Sequence, residues 1–178
     1  MCESYNRQYG NSHGIDYRCV MPTNLYGPGD NYHSENSHVV PGLIRRFHEA
    51  KVNNLKFVTI WGTGSPLREL LHVEDMAQAS IQIMNLDKKK YIKIVRPMSH
   101  INIGSGCEIS IKELAKKIKK ILDFKGKIKY DKNKPNGTLR KLTNIKRLNK
   151  IGFKYKIDLE EGLKQAYMDF IKRSSAQK

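Results

Sequence analysis

At 178 residues the chain suits one ordinary domain with room for a sizeable core, and 39% apolar side chains with 13 glycines exclude a disordered segment. No apolar run approaches the ~20 residues of a membrane span; the polar residues 1–9 are no signal peptide; and Cys2, Cys19 and Cys107, an odd set without CxxC spacing, fit free thiols of a cytoplasmic protein. The net charge of +16 is uneven, because residues 1–110 carry 12 basic and 10 acidic side chains while residues 111–178 carry 21 and 7.

Residues 1–9 read as the last turns of a helix closed by Gly10, and residues 16–21 alternate well enough for a strand. A loop rich in Gly, Pro and Asn spans residues 22–37, and an amphipathic helix runs from about 39 to 50. Residues 57–61 form a short β-branched strand, followed by the turn Gly62-Thr-Gly-Ser-Pro66 and an extended piece over 67–73. A helix over about 74–86 places Met76, Ala79, Ser80 and Ile83 on one side. A lysine-rich loop then leads to a strand at 101–104.

The next helix opens with a capping box, Ser110 and Glu113 at the S-x-x-E spacing. Residues 127–130 suit an edge strand, and residues 132–142 a loop turning at Asn136-Gly137. The last helix begins at Asp158 with Glu161 three residues on, and buries Leu159, Leu163, Ala166, Tyr167 and Phe170. Strands alternating with helices predict an α/β fold.

The charge excess sits on amphipathic helices. Ile111, Leu114, Ala115, Ile118 and Leu122 fall on one stripe, while Lys112, Lys116, Lys117, Lys119 and Lys120 fall on the others. Of the 21 basic residues after position 110, 18 are lysines, whereas nucleic-acid readers add arginines and exposed aromatics. The pattern describes a solvated face with weak nonspecific polyanion binding, not a dedicated nucleic-acid site. The six histidines show no metal-ligand pairing.

Three motif-like spacings carry no chemistry. Gly62-Thr-Gly64 and Gly104-Ser-Gly106 lack the third glycine of GxGxxG and read as tight turns. Tyr130 and Lys134 have YxxxK spacing, but Tyr130 ends a strand and Pro135 biases Lys134 away from helix, so the two cannot share a helix face. His72 precedes a helix whose first turn carries Glu74 and Asp75; those carboxylates complement the helix dipole, and His72 reads as structural, as does Cys107.

Polar groups cluster instead between residues 21 and 50, where a strand hands over to a loop and a helix. Open α/β sheets bind ligands at such places. His38 stands directly before the helix, behind the good N-cap residues Asn36 and Ser37. A positive helix end disfavours imidazolium, so a proton on His38 leaves more easily, as a general acid requires; from spacing alone, a loop histidine without a role is the commoner case. On the helical projection Arg46 lies roughly 110° and Arg45 about 150° from the centre of the apolar stripe, so Arg46 borders a cleft and Arg45 points nearer to solvent. A guanidinium fork suits a diphosphate.

The run MPTNLYGPGDNYHSENSHVVPGLIRRFHEA (residues 21–50), together with WGTGSPLRELLHVEDMA (61–77), KPNGT (134–138) and RKL (140–142), resembles the GDP-L-fucose synthases. These are NADP-dependent 3,5-epimerase-4-reductases of the extended short-chain dehydrogenase type. The resemblance implies that His38 is the acid that reprotonates the sugar carbon. It implies that Pro22, Thr23, Asn24 and Leu25, with His38, line the nicotinamide end of NADP(H), and that Arg46, Trp61, Arg68 and Asn136 contact the GDP-sugar. Asn136 stands where the family has aspartate; it keeps one carbonyl acceptor but loses the charge.

The same resemblance implies an architecture. Residues 1–25 correspond to the residual end of an NADP-binding Rossmann domain and residues 26–178 mainly to the GDP-sugar-binding domain, with Rossmann elements returning near 68–104. The family's glycine-rich NADP loop, catalytic cysteine and YxxxK dyad are absent from these 178 residues. The expectation is therefore the C-terminal portion of such an enzyme, inactive alone, acting on GDP-4-keto-6-deoxy-D-mannose beside an N-terminal half and within a homodimer. A GDP-sugar-binding module without catalysis is the alternative, and a basic nucleic-acid scaffold a third.

Overall fold

A computed structural model describes residues 1–97 and 99–176. Helix α1 (Cys2–Tyr9) leads to strand β1 (Cys19–Pro22), which pairs in parallel with β5 (His100–Ile103), Cys19 opposite His100 and Pro22 opposite Ile103. A second sheet is built on β4 (Leu67–His72). It pairs in parallel with β2 (Asn24–Tyr26) and β8 (Arg140–Lys141), and antiparallel with β6 (Glu108–Ser110). A third sheet is the parallel pair β3 (Phe57–Trp61) and β7 (Lys127–Asp131). Among the described residues no helix is long and apolar enough to cross a membrane.

The helices form where local sequence and burial agree. Helix α2 (Val39–Val52) buries Val40, Leu43, Ile44, Phe47 and Ala50, a 3–4 residue spacing, and tolerates Pro41 in its first turn. Helix α5 (Ile111–Ile121) carries the expected capping box: Glu113 N–H donates to Ser110 Oγ at 3.1 Å, and Ser110 N–H to Glu113 Oε2 at 3.2 Å. Its stripe closes on α2 and on α7 (Leu159–Ala176), whose start Asp158 marks by accepting from Glu161 N–H at 2.9 Å. One apolar cluster gathers α2, α5, α7, β3 and Tyr26. Another gathers β5, α3 (Val73–Met84), α4 (Lys88–Val95) and α6 (Lys146–Lys150).

Several expectations need correction. The lysine-rich loop after α3 contains α4, because Asp87 Oδ1 accepts from Lys90 N–H at 2.9 Å and Tyr91 and Val95 are buried four residues apart. The loop over 22–37 contains β2, and the loop over 132–142 contains β8; both strands are defined by pairing with β4. The first strand begins at Cys19, three residues late. Asp75 does more than complement a helix dipole. It is buried, and its carboxylate accepts from the Lys156 and Ile157 N–H groups at 2.8 and 3.0 Å. The two glycine pairs are turns as expected, with positive φ at Gly62, Gly64 and Gly106, and Tyr130 and Lys134 share no helix.

Candidate functional site

The handover from β1 to β2 opens a cavity of about 640 Å³, within the range of small-molecule sites. Pro22, Thr23, Asn24 and Leu25 line one wall, with His38, Arg68 and Lys141 among the polar groups facing it. Thr23 N–H continues the β1 ladder to Ile103 O at 2.9 Å. The Thr23 hydroxyl and the Asn24 amide both donate to Glu69 O, at 3.3 and 3.0 Å, which fixes the run against β4. Gly27 follows with φ +146, and a Cβ there would lie 2.9 Å from Val73 Cγ1 and 3.0 Å from His72 Nε2. Only glycine lets the loop turn this close to α3.

His38 is itself the N-cap of α2, with extended backbone (φ −68°, ψ 171°) and no side-chain capping bond. Asn36 and Ser37, the expected caps, precede the cap position. The imidazole is exposed and is not consumed by the helix end, so it can serve a ligand in the cavity. Arg68 lies on β4, its Nη1 donating to Leu67 O and Thr138 O at 2.7 Å each. That links the cavity to the 134–138 run.

The remaining named residues do not line the cavity. Trp61 is 62% exposed, with Lys134 Nζ 5.4 Å from its ring centroid, so it is not a core side chain. Asn136 Oδ1 accepts from Thr63 N–H at 2.7 Å and from the Thr63 hydroxyl at 2.9 Å. Its carbonyl is thus committed to the Gly62–Gly64 turn, leaving the amide NH₂ as its free group. The arginine pair departs from the helical projection. Arg45 is the half-buried one, bonded to Glu49 and Tyr32 O, and Arg46 keeps open surface. Arg46 Nε donates to Gly42 O at 3.1 Å, one turn from His38. Surrounding protein mass still desolvates that guanidinium and pulls its pKa below the ordinary value, as a cation in a groove experiences.

Sequence reasoning missed Tyr26 and Lys141 on the cavity wall. Burial pushes the Tyr26 phenol well up, so it stays protonated and is no base. His72 is 1% exposed; its Nδ1 accepts from Glu74 N–H at 3.3 Å, capping α3, and burial pushes its pKa down against the raising influence of Glu74 and Asp75. That is the structural role expected of it.

A model of the NAD dependent epimerase/dehydratase family matches residues 1–104. Over 172 residues the chain is 52% identical to the GDP-L-fucose synthase of Escherichia coli (strain K12), covering 96% of this chain and 52% of that protein. Among solved structures, a GDP-6-OMe-4-keto-L-xylo-heptose reductase from C. jejuni matches at 34% identity and TM-score 0.85, covering 97% of this chain and 57% of that one. A GDP-L-fucose synthetase from Naegleria fowleri bound to NADP matches at 26% identity and TM-score 0.85, covering 98% and 53%. These likenesses agree with the α/β architecture of parallel strands. The chain spans about half the length of the curated relatives it matches.

Proposed function

The chain belongs to the NAD dependent epimerase/dehydratase family and is homologous to GDP-L-fucose synthases, and from that premise we propose that it forms the sugar-nucleotide side of an NADP-dependent GDP-L-fucose synthase. That enzyme epimerises C3 and C5 of GDP-4-keto-6-deoxy-D-mannose and reduces C4, and by resemblance works as a homodimer. One observation carries the reading: residues 22–25, 38 and 68, far apart in sequence, line one cavity.

The chemistry assigns separate tasks. A proton next to the C4 ketone is acidified by the carbonyl, so a base can remove it from C3 or C5 and an acid on the opposite face can return it with inversion. His38, unspent by its helix, is that acid. The resemblance gives the base to a cysteine, and none lines this cavity; Cys107 lies outside it. Arg46 and Arg68 hold the diphosphate by charge-assisted hydrogen bonds, with Trp61 and the Asn136 amide beside the nucleotide. With the Thr23 N–H and hydroxyl and one Asn24 amide hydrogen turned to Ile103 O and Glu69 O, the Thr23 hydroxyl lone pairs, Asn24 Oδ1 and its second amide hydrogen are what Pro22–Leu25 can offer the nicotinamide carboxamide of NADP. When bound, the reduced nicotinamide supplies the hydride for C4.

The alternative reading is a GDP-sugar-binding module without catalysis, for which the same cavity would serve.

Calorimetric titration with GDP tests both. The parent binds in the micromolar-to-millimolar range, and Arg46→Ala and Arg68→Ala each weaken it about tenfold, the cost of one charged hydrogen-bond donor. Unchanged affinity in both variants places the diphosphate clamp elsewhere and sinks the assignment.

A further inference from the structure

A second cavity, of about 520 Å³, adjoins the first across Tyr26 and Leu70, the two residues that line both. Its walls are mainly apolar: Leu70, Leu71, Ile109, Ile157 and Leu159, with the Tyr26 ring. Two buried carboxylates hold its sides apart. Asp75 pins the backbone of Lys156 and Ile157, and Glu69 Oε1 accepts from Gly106 N–H at 2.7 Å. The space therefore persists as part of the fold. His72 lines it too. Because Nδ1 accepts from Glu74 N–H, the neutral ring carries its hydrogen on Nε2, a buried donor without an acceptor among the described residues.

The rim carries two acids and two lysines. Glu108 is held by Arg140 Nε and Nη2 at 2.7 Å each, and Glu113 by the Ser110 hydroxyl and N–H, so both acids have partners within the protein. Lys116 and Lys117 make no hydrogen bond or ion pair among the described residues; they reach Glu113 only as nearby charges. Lys117 also borders Asp158 and Glu161 in the hollow between α5 and α7, which leaves Lys116 as the better-placed cation. Apolar walls with one convergent cation are the usual make-up of a small-molecule site.

We propose that this cavity is a second binding site, taking an amphipathic monoanion with its flat apolar body against the walls and its carboxylate on Lys116. The inference stands on this cavity alone and does not depend on the function read from the first.

Methyl NMR of the full chain titrated with 2-naphthoate reads the site directly. The expected result is saturable shifts confined to Leu70, Leu71, Ile109, Ile157 and Leu159. Lys116→Gln, an exposed change, weakens binding about fivefold with the same shift pattern, the size expected of a partly solvated ion pair. Ile157→Trp fills the cavity and removes saturation; if that variant misfolds, Lys116→Gln still decides. Equal affinity for uncharged 2-naphthylmethanol, shifts centred on Val39 and Val40 of the first cavity, or no saturation up to the solubility limit each overturns the proposal.

Discussion

Two of the sheets are parallel pairs of similar length, and they are finished differently. In β3–β7, strand β3 alternates cleanly: Val58 and Ile60 are buried, while Phe57, Thr59 and Trp61 face solvent with Lys129 Nζ 3.6 Å from the Phe57 ring centroid. One face is closed by the core and the other is solvated. In β1–β5, strand β5 buries Ile101 and Ile103 completely, yet β1 buries no residue and leaves Met21 55% exposed. Parallel strands are normally covered on both faces; β3 has one face fully buried and β1 has neither. The finished pair leads to Trp61 and the Asn136 turn; the open pair leads to Pro22–Leu25. The Trp61 side is therefore self-contained, whereas the Pro22–Leu25 side offers a surface that further structure can complete.

The largest effect that contrast predicts is a null. The 178-residue chain alone should oxidise no NADPH with the 4-keto-6-deoxy sugar nucleotide, since hydride transfer needs a held nicotinamide and an acid. Turnover above background would break the contrast at once. Supplying a segment that carries a glycine-rich NADP loop, a cysteine and a YxxxK dyad should give activity, and His38 can then be tested in place. His38→Ala should slow solvent deuterium uptake at C3 and C5 by ~10²–10⁴-fold, the usual worth of a general acid, with C4 reduction less affected. Undiminished uptake by NMR would remove His38 from the chemistry.

Glu69 sharpens the comparison because it ties β4 to the segments that follow β5 and β8. It is fully buried on β4 and accepts from Gly106 N–H, Thr143 N–H and the Thr143 hydroxyl at 2.7–2.8 Å. Glu69→Gln turns an acceptor-only carboxylate into an amide whose NH₂ meets donors. The expected cost is about 2–3 kcal/mol in urea unfolding with the m-value unchanged. A loss under about 0.5 kcal/mol would mean the Gly106 and Thr143 segments are held by packing rather than by the carboxylate.

The smallest effect is a pH dependence. Burial holds the folded His72 pKa below its ordinary 6.5, so between those two values the unfolded chain binds more protons than the folded one. Stability is full above 6.5 and declines as pH falls through that window. Asparagine keeps a cap acceptor for Glu74 N–H, so in His72→Asn the shift of the urea midpoint between about pH 7.5 and about pH 5.5 should shrink. An unchanged shift would assign the dependence to another group.

Much of the fold was legible where local signals and burial coincide: the α5 stripe with its capping box, the α2 spacing, and the alternation of β3. Helix α4 was hidden because Lys88–Lys89–Lys90 looks like a solvated run, although Asp87 and the Tyr91–Val95 pair were there to be read. Strands β2 and β8 have no signature of their own and exist through their partner β4. For the candidate site, residues 22–25, 38 and 68 were found through resemblance, and the structure gives them one cavity. Other features are long-range. Asn136 reaches Thr63 across 73 positions, and Arg45 is drawn inward by a carbonyl at Tyr32; a helical projection contains neither. The second cavity is assembled from segments too scattered for any spacing rule.

The open strand β1 also bears on how the chain behaves in company. Backbone N–H groups alternate sides along a strand, and Thr23 N–H points inward to Ile103 O. Cys19 N–H is taken by the Tyr91 hydroxyl at 3.2 Å. The outward donors are then those of Val20 and Pro22, and proline has none. Among the described residues that leaves one free N–H on a four-residue edge, a poor template for another copy of the same strand. Short edges that end in proline are how sheets avoid joining end on end into aggregates. The unfinished side is thereby protected against self-association while staying open to a partner strand that brings its own donors.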